Sequence, residues 1–155
     1  MTTINVYLTF NGNCEEAFNF YKSVFGGEFA YVGRFKDIPP EEEKQMPAVE
    51  GNKIMHVSLP ISDETILMGS DTGGEWASSF KQGNNFSISV SADSQESADR
   101  IFNDLSKGGM VTMPMGKTFW GDYFGMLTDK YGINWMMSYN ENVQKLKQNA
   151  AAAVN

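Results

Sequence analysis

The chain has 155 residues, of which 41% are hydrophobic and 20% are charged, a balance typical of globular rather than disordered proteins. The formal net charge of -7 disfavours binding to nucleic acid and to anionic membrane surfaces, and the single cysteine, Cys14, cannot form an internal disulfide. No stretch approaches the length of a membrane span and no signal peptide is recognisable, so we expect a cytoplasmic protein without nucleic-acid or membrane partners.

The first half of the chain predicts a strand, a helix and three more strands. Residues 4–10 alternate as a strand does, and Asn13 with Glu16 three positions later is typical of a capping box at a helix start. Gly26 and Gly27 end this helix, whose apolar face has helical spacing and consists of Ala17, Phe20, Tyr21 and Val24. Strand-like runs follow at residues 28–35, 53–61 and 65–71.

The second half repeats this pattern. Residues 86–91 alternate as a strand, Asp93 with Glu96 predicts a second helix start, and Gly108 with Gly109 ends the helix. Its apolar face has the same spacing as the first and consists of Ala98, Ile101, Phe102 and Leu105. Strand-like runs follow at residues 110–115, 119–128 and 133–139. The shared spacing and double glycine predict two tandem βαβββ modules in a protein of the α+β class.

The predicted modules span residues 4–71 and 85–139, with a linker over 72–84 between them. Residues 36–52 carry prolines, a run of glutamates and no periodicity, which predicts a long surface loop, either solvated or acting as a lid. The tail over 140–155 is polar and then rich in alanine, which favours a short helix or a frayed end.

Four segments carry a resemblance to a known family: residues 7–27, 54–59, 67–71 and 119–139, which contains the turn Trp120-Gly121-Asp122. Together they resemble PhnB-like proteins of the vicinal oxygen chelate superfamily, which includes glyoxalases, bleomycin-resistance proteins and dioxygenases. The resemblance implies that the mixed sheets of both modules curve into a half-barrel around a cleft, and that the protein is a homodimer. Members of this group often carry a 3-demethylubiquinone methyltransferase label, but no glycine-rich nucleotide-binding turn follows a strand in this sequence.

The resemblance also places the positions at which metal-dependent members of the superfamily hold a divalent ion. Carried over one by one, these positions fall at Val6 or its neighbour Tyr7, at Leu67 or Met68, at Phe86, and at Met136. The favoured residues are apolar, and a thioether is a poor ligand for hard divalent ions. We therefore predict no metal site of the superfamily kind, and the sequence indicates no other cofactor.

Two residues are candidates for chemistry. His56, the only histidine, is either a general base or hydrogen-bonding group for a ligand, or a strand histidine paired with a neighbour. Asp122 is either a carboxylate that acts beside it or a residue that forms a turn. The predicted ligand-binding residues are apolar or aromatic, and which strand face lines the cleft stays open; they are Val6, Leu8, Met68, Phe86, Trp120, Phe124, Trp135 and Met136.

Three functions remain open from the sequence. The first is a PhnB-like protein with a metal-free pocket for a small, partly apolar molecule, in which any catalysis would depend on His56. The second is a module that sequesters a drug or metabolite without chemistry. The third is a divalent-metal-dependent lyase, dioxygenase or transferase of the same superfamily. Whether the protein is an enzyme is not decided by residue types alone.

Overall fold

A computed structural model describes residues 1–43 and 49–154 of the chain. The chain divides into two compact units, Met1–Gln82 and Gly83–Asn155, which we call unit 1 and unit 2. Unit 1 contains β1 (Val6–Phe10), α1 (Cys14–Phe25), β2 (Tyr31–Arg34), α2 (Pro40–Glu43), β3 (Ile54–Pro60) and β4 (Ile66–Asp71). Unit 2 contains β5 (Ile88–Ser91), α3 (Gln95–Ser106), β6 (Met110–Lys117), β7 (Tyr123–Thr128), β8 (Asn134–Tyr139) and α4 (Glu141–Ala152).

Each unit is built on one four-stranded mixed sheet, with strand order β1-β4-β3-β2 in unit 1 and β5-β8-β7-β6 in unit 2. In both sheets the first and last strands of the module are parallel neighbours, and the other neighbours are antiparallel. The α+β class and the tandem βαβββ modules predicted from the sequence are therefore confirmed. No helix in the described residues is long and apolar enough to cross a membrane.

One face of each sheet is packed against the long helix of its own module. In unit 1 a Cβ atom on Gly69 would lie 2.6 Å from Cε2 of Phe18, so glycine is what allows α1 to approach β4 closely. In unit 2 a Cβ atom on Gly125 would lie 2.9 Å from Cε2 of Phe102 on α3. The two modules therefore share the close packing of helix against sheet as well as the sequence pattern.

The predicted helix faces are correct in α3 and partly wrong in α1. All four predicted residues of α3 are buried: Ala98, Ile101, Phe102 and Leu105. In α1 the ring of Phe18 is buried, whereas Phe20 is only half-buried. Both rings fit a 3.6-residue period closely enough that spacing alone does not choose between them.

Asn13 is the N-cap residue of α1 as predicted, but its side chain does not cap the helix, and the N-cap of α3 lies one residue after the predicted Asp93. The side chain of Asn13 makes no capping hydrogen bond; instead Oδ1 of Asp71, from the end of β4, accepts hydrogen bonds from the backbone N–H groups of Gly12 and Cys14 at 3.0 and 2.9 Å. In unit 2 the cap is Ser94 rather than Asp93, and its hydroxyl oxygen accepts from the backbone N–H of Ser97. A cap supplied from a distant strand leaves no signal in the local sequence.

Several element boundaries differ from the prediction. β2 begins at Tyr31 and β5 at Ile88, so Phe86 precedes its strand. β7 begins at Tyr123, because the residues before it form a turn in which the backbone N–H of Gly121 donates to the carbonyl of Thr118. Within the predicted surface loop 36–52 lies the short helix α2, and residues 44–48 of that loop are outside the described residues. The tail forms the helix α4.

Candidate functional site

The sheet of unit 1 has a second face, opposite α1, which we call the open face of unit 1. Strand alternation and register place four side chains on it in one row across all four strands: Tyr7 beside Met68, Met68 beside Ser58, and Ser58 beside Tyr31. The exposed fractions of Tyr7 and Tyr31 are 47% and 49%, so about half of each side chain is available to a ligand.

His56 lies between these two tyrosines. Its ring is stacked on that of Tyr7, with 5.6 Å between centroids and 24° between planes, and the hydroxyl of Tyr7 lies 3.1 Å from Nδ1 of His56. The ring of Tyr31 is tilted at 37°, with its centroid 5.8 Å from that of His56. Opposite His56 on β2 is Gly33, where a Cβ atom would lie 2.6 Å from the hydroxyl oxygen of Tyr31. Because Gly33 has no side chain, the ring of Tyr31 can lie beside the imidazole.

This arrangement assigns different roles to the two nitrogens of His56. If Tyr7 donates its hydroxyl proton to Nδ1, then Nε2 carries the ring proton and can donate to a ligand. If Nδ1 carries the proton and donates to the phenol oxygen, Nε2 becomes an acceptor and can take a proton from a ligand hydroxyl. In either form the tyrosine fixes the orientation of the imidazole, which is the prerequisite for a directed hydrogen bond.

The positions that would hold a metal in the superfamily carry residues that do not fit a hard divalent ion. Of the positions that the resemblance gives, Val6 and Leu67 are direct neighbours on the α1 side of the unit 1 sheet, and the alternatives Tyr7 and Met68 are direct neighbours on its open face. In unit 2 the neighbour of Met136 is Ser89, and Phe86 lies ahead of the strand. Phenol, thioether and hydroxyl groups do not make the oxygen or imidazole cage that such ions require. Within residues 1–43 and 49–154, no three His, Cys, Asp or Glu side chains are grouped closely enough to hold a metal ion.

Three predicted ligand-binding residues of unit 2 come together on the sheet face opposite α3. Met136 and Phe124 share this face by strand alternation, and Trp120 packs edge-on against Phe124 with 5.8 Å between ring centroids. Met126, which the sequence analysis did not single out as ligand-binding, pairs directly with Met136 and lies on the same face.

The remaining predicted ligand-binding residues lie elsewhere. Leu8 and Trp135 have exposed fractions of 3% and 2% and belong to the core, and Nε1 of Trp135 donates to Oδ2 of Asp129 at 2.9 Å. Val6 is half-buried and pairs with Leu67 on the α1 side of the sheet. Phe86 is exposed ahead of β5. Met68 alone among the predictions in unit 1 shares the open face with His56.

Asp122 is engaged in building its turn. Its Oδ2 accepts from Nε1 of Trp120 at 3.0 Å, and its Oδ1 accepts from Nδ2 of Asn140 at 2.6 Å, at the start of α4. His56 belongs to unit 1 and Asp122 to unit 2, so neither unit contains the pair by itself. Their joint action stays a prediction.

The sequence analysis missed Tyr31 and considered Tyr7 only as an alternative metal position. A signal for Tyr31 exists in retrospect: Gly33 interrupts a β-rich run two residues later, and a glycine inside a strand often marks a close approach. For Tyr7 the decisive fact is that it lies next to Met68, which is 61 residues later in the sequence. Only the register of the parallel strands β1 and β4 shows this.

Comparison with known proteins gives consistent matches along most of the chain. A family model described as 3-demethylubiquinone-9 3-methyltransferase matches residues 2–138. The crystal structure of PA1353 from Pseudomonas aeruginosa is 39% identical, with a TM-score of 0.77 over 90% of this chain and 98% of that one. Protein YjdN of Escherichia coli is 28% identical over 87% of this chain and 93% of its own length.

Two further solved structures extend the comparison. A PhnB protein from Bacillus cereus, described as a candidate 3-demethylubiquinone-9 3-methyltransferase, is 26% identical with a TM-score of 0.69, covering 89% of this chain and 99% of that one. A glyoxalase/bleomycin resistance protein/dioxygenase family enzyme from Burkholderia phytofirmans has the same fold at 14% identity, with a TM-score of 0.58 over 87% of this chain and 95% of that one.

Proposed function

The chain belongs to the family described as 3-demethylubiquinone-9 3-methyltransferase, a PhnB-like group of the glyoxalase/bleomycin resistance/dioxygenase superfamily, and on this basis we propose that it binds a small, planar, hydroxylated aromatic molecule on the open face of unit 1. The observation that carries the proposal is the cluster of Tyr7, His56 and Tyr31, in which an oriented imidazole lies between two half-exposed phenol rings.

The cluster suits such a ligand for two physical reasons. The ring faces and edges of Tyr7 and Tyr31 offer offset-stacked or edge-on contacts, which flat aromatic molecules make better than aliphatic ones. Nε2 of His56 provides one directed hydrogen bond to a hydroxyl group, and in the tautomer with the proton on Nδ1 it also accepts the hydroxyl proton. Apolar contact area and a single oriented polar group are the usual combination in small-molecule sites.

The family description supports the ligand class but not the whole reaction. The head group of 3-demethylubiquinone is itself a planar, hydroxylated ring, and it therefore belongs to the class that the cluster suits. Methyl transfer also requires a site for the methyl donor, and the sequence has no glycine-rich turn of that kind. We therefore propose binding and orientation of the ring, with His56 as the group that would take up a hydroxyl proton. A divalent-metal reaction is not proposed, because the donor set does not fit the ion.

The test uses 4-nitrocatechol, a planar probe whose absorbance reports the ionisation of its hydroxyl group. Wild-type protein should bind the probe, and H56F, which keeps a ring but removes both nitrogens, should weaken binding about tenfold, the equivalent of one directed hydrogen bond. Y31A should also weaken binding through lost ring contact. Tyr123→Phe is the matched control, since this hydroxyl belongs to unit 2 and donates to Asp99 on α3. Equal affinity in H56F and wild type, with the control unchanged, would rule out the proposal.

Assembly as a homodimer in the cytoplasm completes the proposal. A two-fold dimer is the commonest form of soluble homo-oligomers, and the resemblance to PhnB-like proteins implies one. Light scattering coupled to size exclusion measures the mass directly, and the monomer mass of 17.3 kDa is the reference for one chain. A mass of one chain at micromolar concentration would contradict this part of the proposal and leave the binding site untouched.

A further inference from the structure

Unit 1 also contains a hollow on the α1 side of its sheet, between α1 and the strands β2 and β3. Its volume is about 220 Å³. The floor is apolar and consists of the buried Phe18, Ile54 and Val57, and the polar residues of the lining are Asn19 and, at the rim, Glu15 and Arg34. We propose that this hollow is a second small-molecule site, specific for a monocarboxylate with a flat apolar body about the size of a benzene ring.

The cation at the rim is already oriented for a carboxylate. Nη1 and Nη2 of Arg34 donate to the two carboxylate oxygens of Glu15 at 2.9 and 2.6 Å, a two-pronged contact that matches carboxylate geometry. Nη1 also donates to the carbonyl oxygen of Asn52 at 2.7 Å, which holds the guanidinium at the rim independently of Glu15. The carboxylate of Glu15 thus occupies the place that a ligand carboxylate would take.

Exchange of one carboxylate for another costs little at this rim. The side chains of Glu15 and Arg34 have exposed fractions of 52% and 27%, and ion pairs that face solvent contribute little to stability. The hydrogen bond from Arg34 lowers the pKa of Glu15 below its ordinary value, so both groups are charged near neutral pH. A ligand carboxylate would therefore replace an existing weak contact at a guanidinium that is already oriented.

The floor sets the size and shape of the ligand body. Phe18, Ile54 and Val57 have exposed fractions of 1 to 2%, so the bottom of the hollow is well packed and preformed. An engineered apolar cavity of about 150 Å³ binds benzene. A hollow of about 220 Å³ therefore has room for such a ring together with a carboxylate at the rim.

This site is separate from the Tyr7–His56–Tyr31 cluster. Val57 follows His56 in β3 and Val32 follows Tyr31 in β2, and successive strand residues point to opposite faces. The sheet therefore lies between the hollow and the open face of unit 1, and the second site does not depend on the proposed function.

Benzoate is the probe, with binding followed by amide chemical shifts of the full chain. Arg34→Gln should weaken benzoate binding about tenfold, because the charge-assisted contact is lost. Glu15→Gln should strengthen it about two- to fivefold, because a neutral amide no longer competes for the guanidinium. A purely structural ion pair predicts no gain from Glu15→Gln, so the opposite signs of the two variants identify the site. Benzyl alcohol, which has the ring without the charge, should bind wild type and Arg34→Gln equally.

The matched control is another exposed ion pair, Glu141 with Lys145 on α4, whose charged atoms are 2.8 Å apart. Glu141→Gln and Lys145→Gln should leave benzoate affinity unchanged. The proposal is overturned if wild type shows no saturation at millimolar benzoate, if Glu15→Gln binds no better than wild type, or if the shifted amides lie away from the residues of the hollow. Arg34→Lys, which keeps the charge and loses the two-pronged contact, should fall between wild type and Arg34→Gln.

Discussion

Replacement of Asp71 should strongly destabilise unit 1. Asp71 ends β4 and has an exposed fraction of 4%. Its Oδ1 accepts from the backbone N–H groups of Gly12 and Cys14 at 3.0 and 2.9 Å, and its Oδ2 accepts from that of Ile54 at 2.9 Å. One side chain therefore joins the start of α1, the end of β4 and the start of β3.

The magnitude follows from the three donors. A buried donor left without a partner costs about 1–3 kcal/mol, so Asp71→Ala forfeits about 3 kcal/mol even at the low end of that range. We expect the low end, because removal of the buried carboxylate also relieves its own desolvation cost. Asp71→Asn keeps one acceptor oxygen but turns an N–H group towards a donor, so it should cost about 1–2 kcal/mol.

The assay is urea unfolding combined with amide hydrogen exchange. The free energy of unfolding should decrease in the order wild type, Asp71→Asn, Asp71→Ala. The amides of Gly12, Cys14 and Ile54 should lose protection first in the variants, because these are the donors that Asp71 satisfies. Asp63→Ala, in the exposed turn before β4, is the control and should change stability by less than about 0.5 kcal/mol. A loss of less than about 1 kcal/mol in Asp71→Ala, with the three amides still protected, would refute the reasoning.

Four further outcomes follow from the environment of single residues. Ser94→Ala should cost about 1 kcal/mol in urea unfolding and Asp93→Ala almost nothing, and the reverse order would contradict the capping assignment. Gly69→Ala should cost about 1–3 kcal/mol, because its Cβ atom would lie 2.6 Å from a buried ring, whereas Gly116→Ala, with nothing within 4 Å, should be neutral in the same measurement. Burial, and after it two nearby carboxylates, raises the pKa of Cys14 above its ordinary value of 9.0, so a thiol reagent should label it only as fast as the protein unfolds. Because the unfolded thiol ionises above pH 9.0 and the folded one does not, stability should also decline as the pH rises past that value.

The architecture of this protein was predictable because its determinants are local and occur twice. Apolar spacing located α1 and α3, and the glycines that follow them, including Gly26 and Gly108 with φ of 79° and 74°, located their ends. The apolar residues at the metal positions that the resemblance gives are also a matter of residue types and not of coordinates, and the absence of a metal stays a prediction. These features depend on short segments of the sequence, because hydrophobic periodicity and turn-forming residues act locally.

The hydrogen bonds at the start of α1 and the candidate site depended on contacts between residues far apart in the chain. Asp71 caps α1 from the end of β4, and Tyr7 meets His56 through the order of β1, β4 and β3 in the sheet. Phe86 precedes β5, and the neighbour of Met136 is Ser89, three residues later in the chain. Register between parallel strands is set by the packing of the whole module, which no local pattern encodes.

By itself, the sequence determined which residues share a face of a strand or helix, since side-chain periods of 2 and 3.6 are properties of the backbone. Only the tertiary structure decided which face the helix covers, and hence that Leu8 and Trp135 are core while Tyr7, Tyr31 and Met68 lie opposite α1. Both faces of these strands carry apolar and aromatic side chains, so the choice depends on where α1 and α3 pack. That choice is made by close contacts such as Phe18 against Gly69, between elements that the sequence keeps far apart.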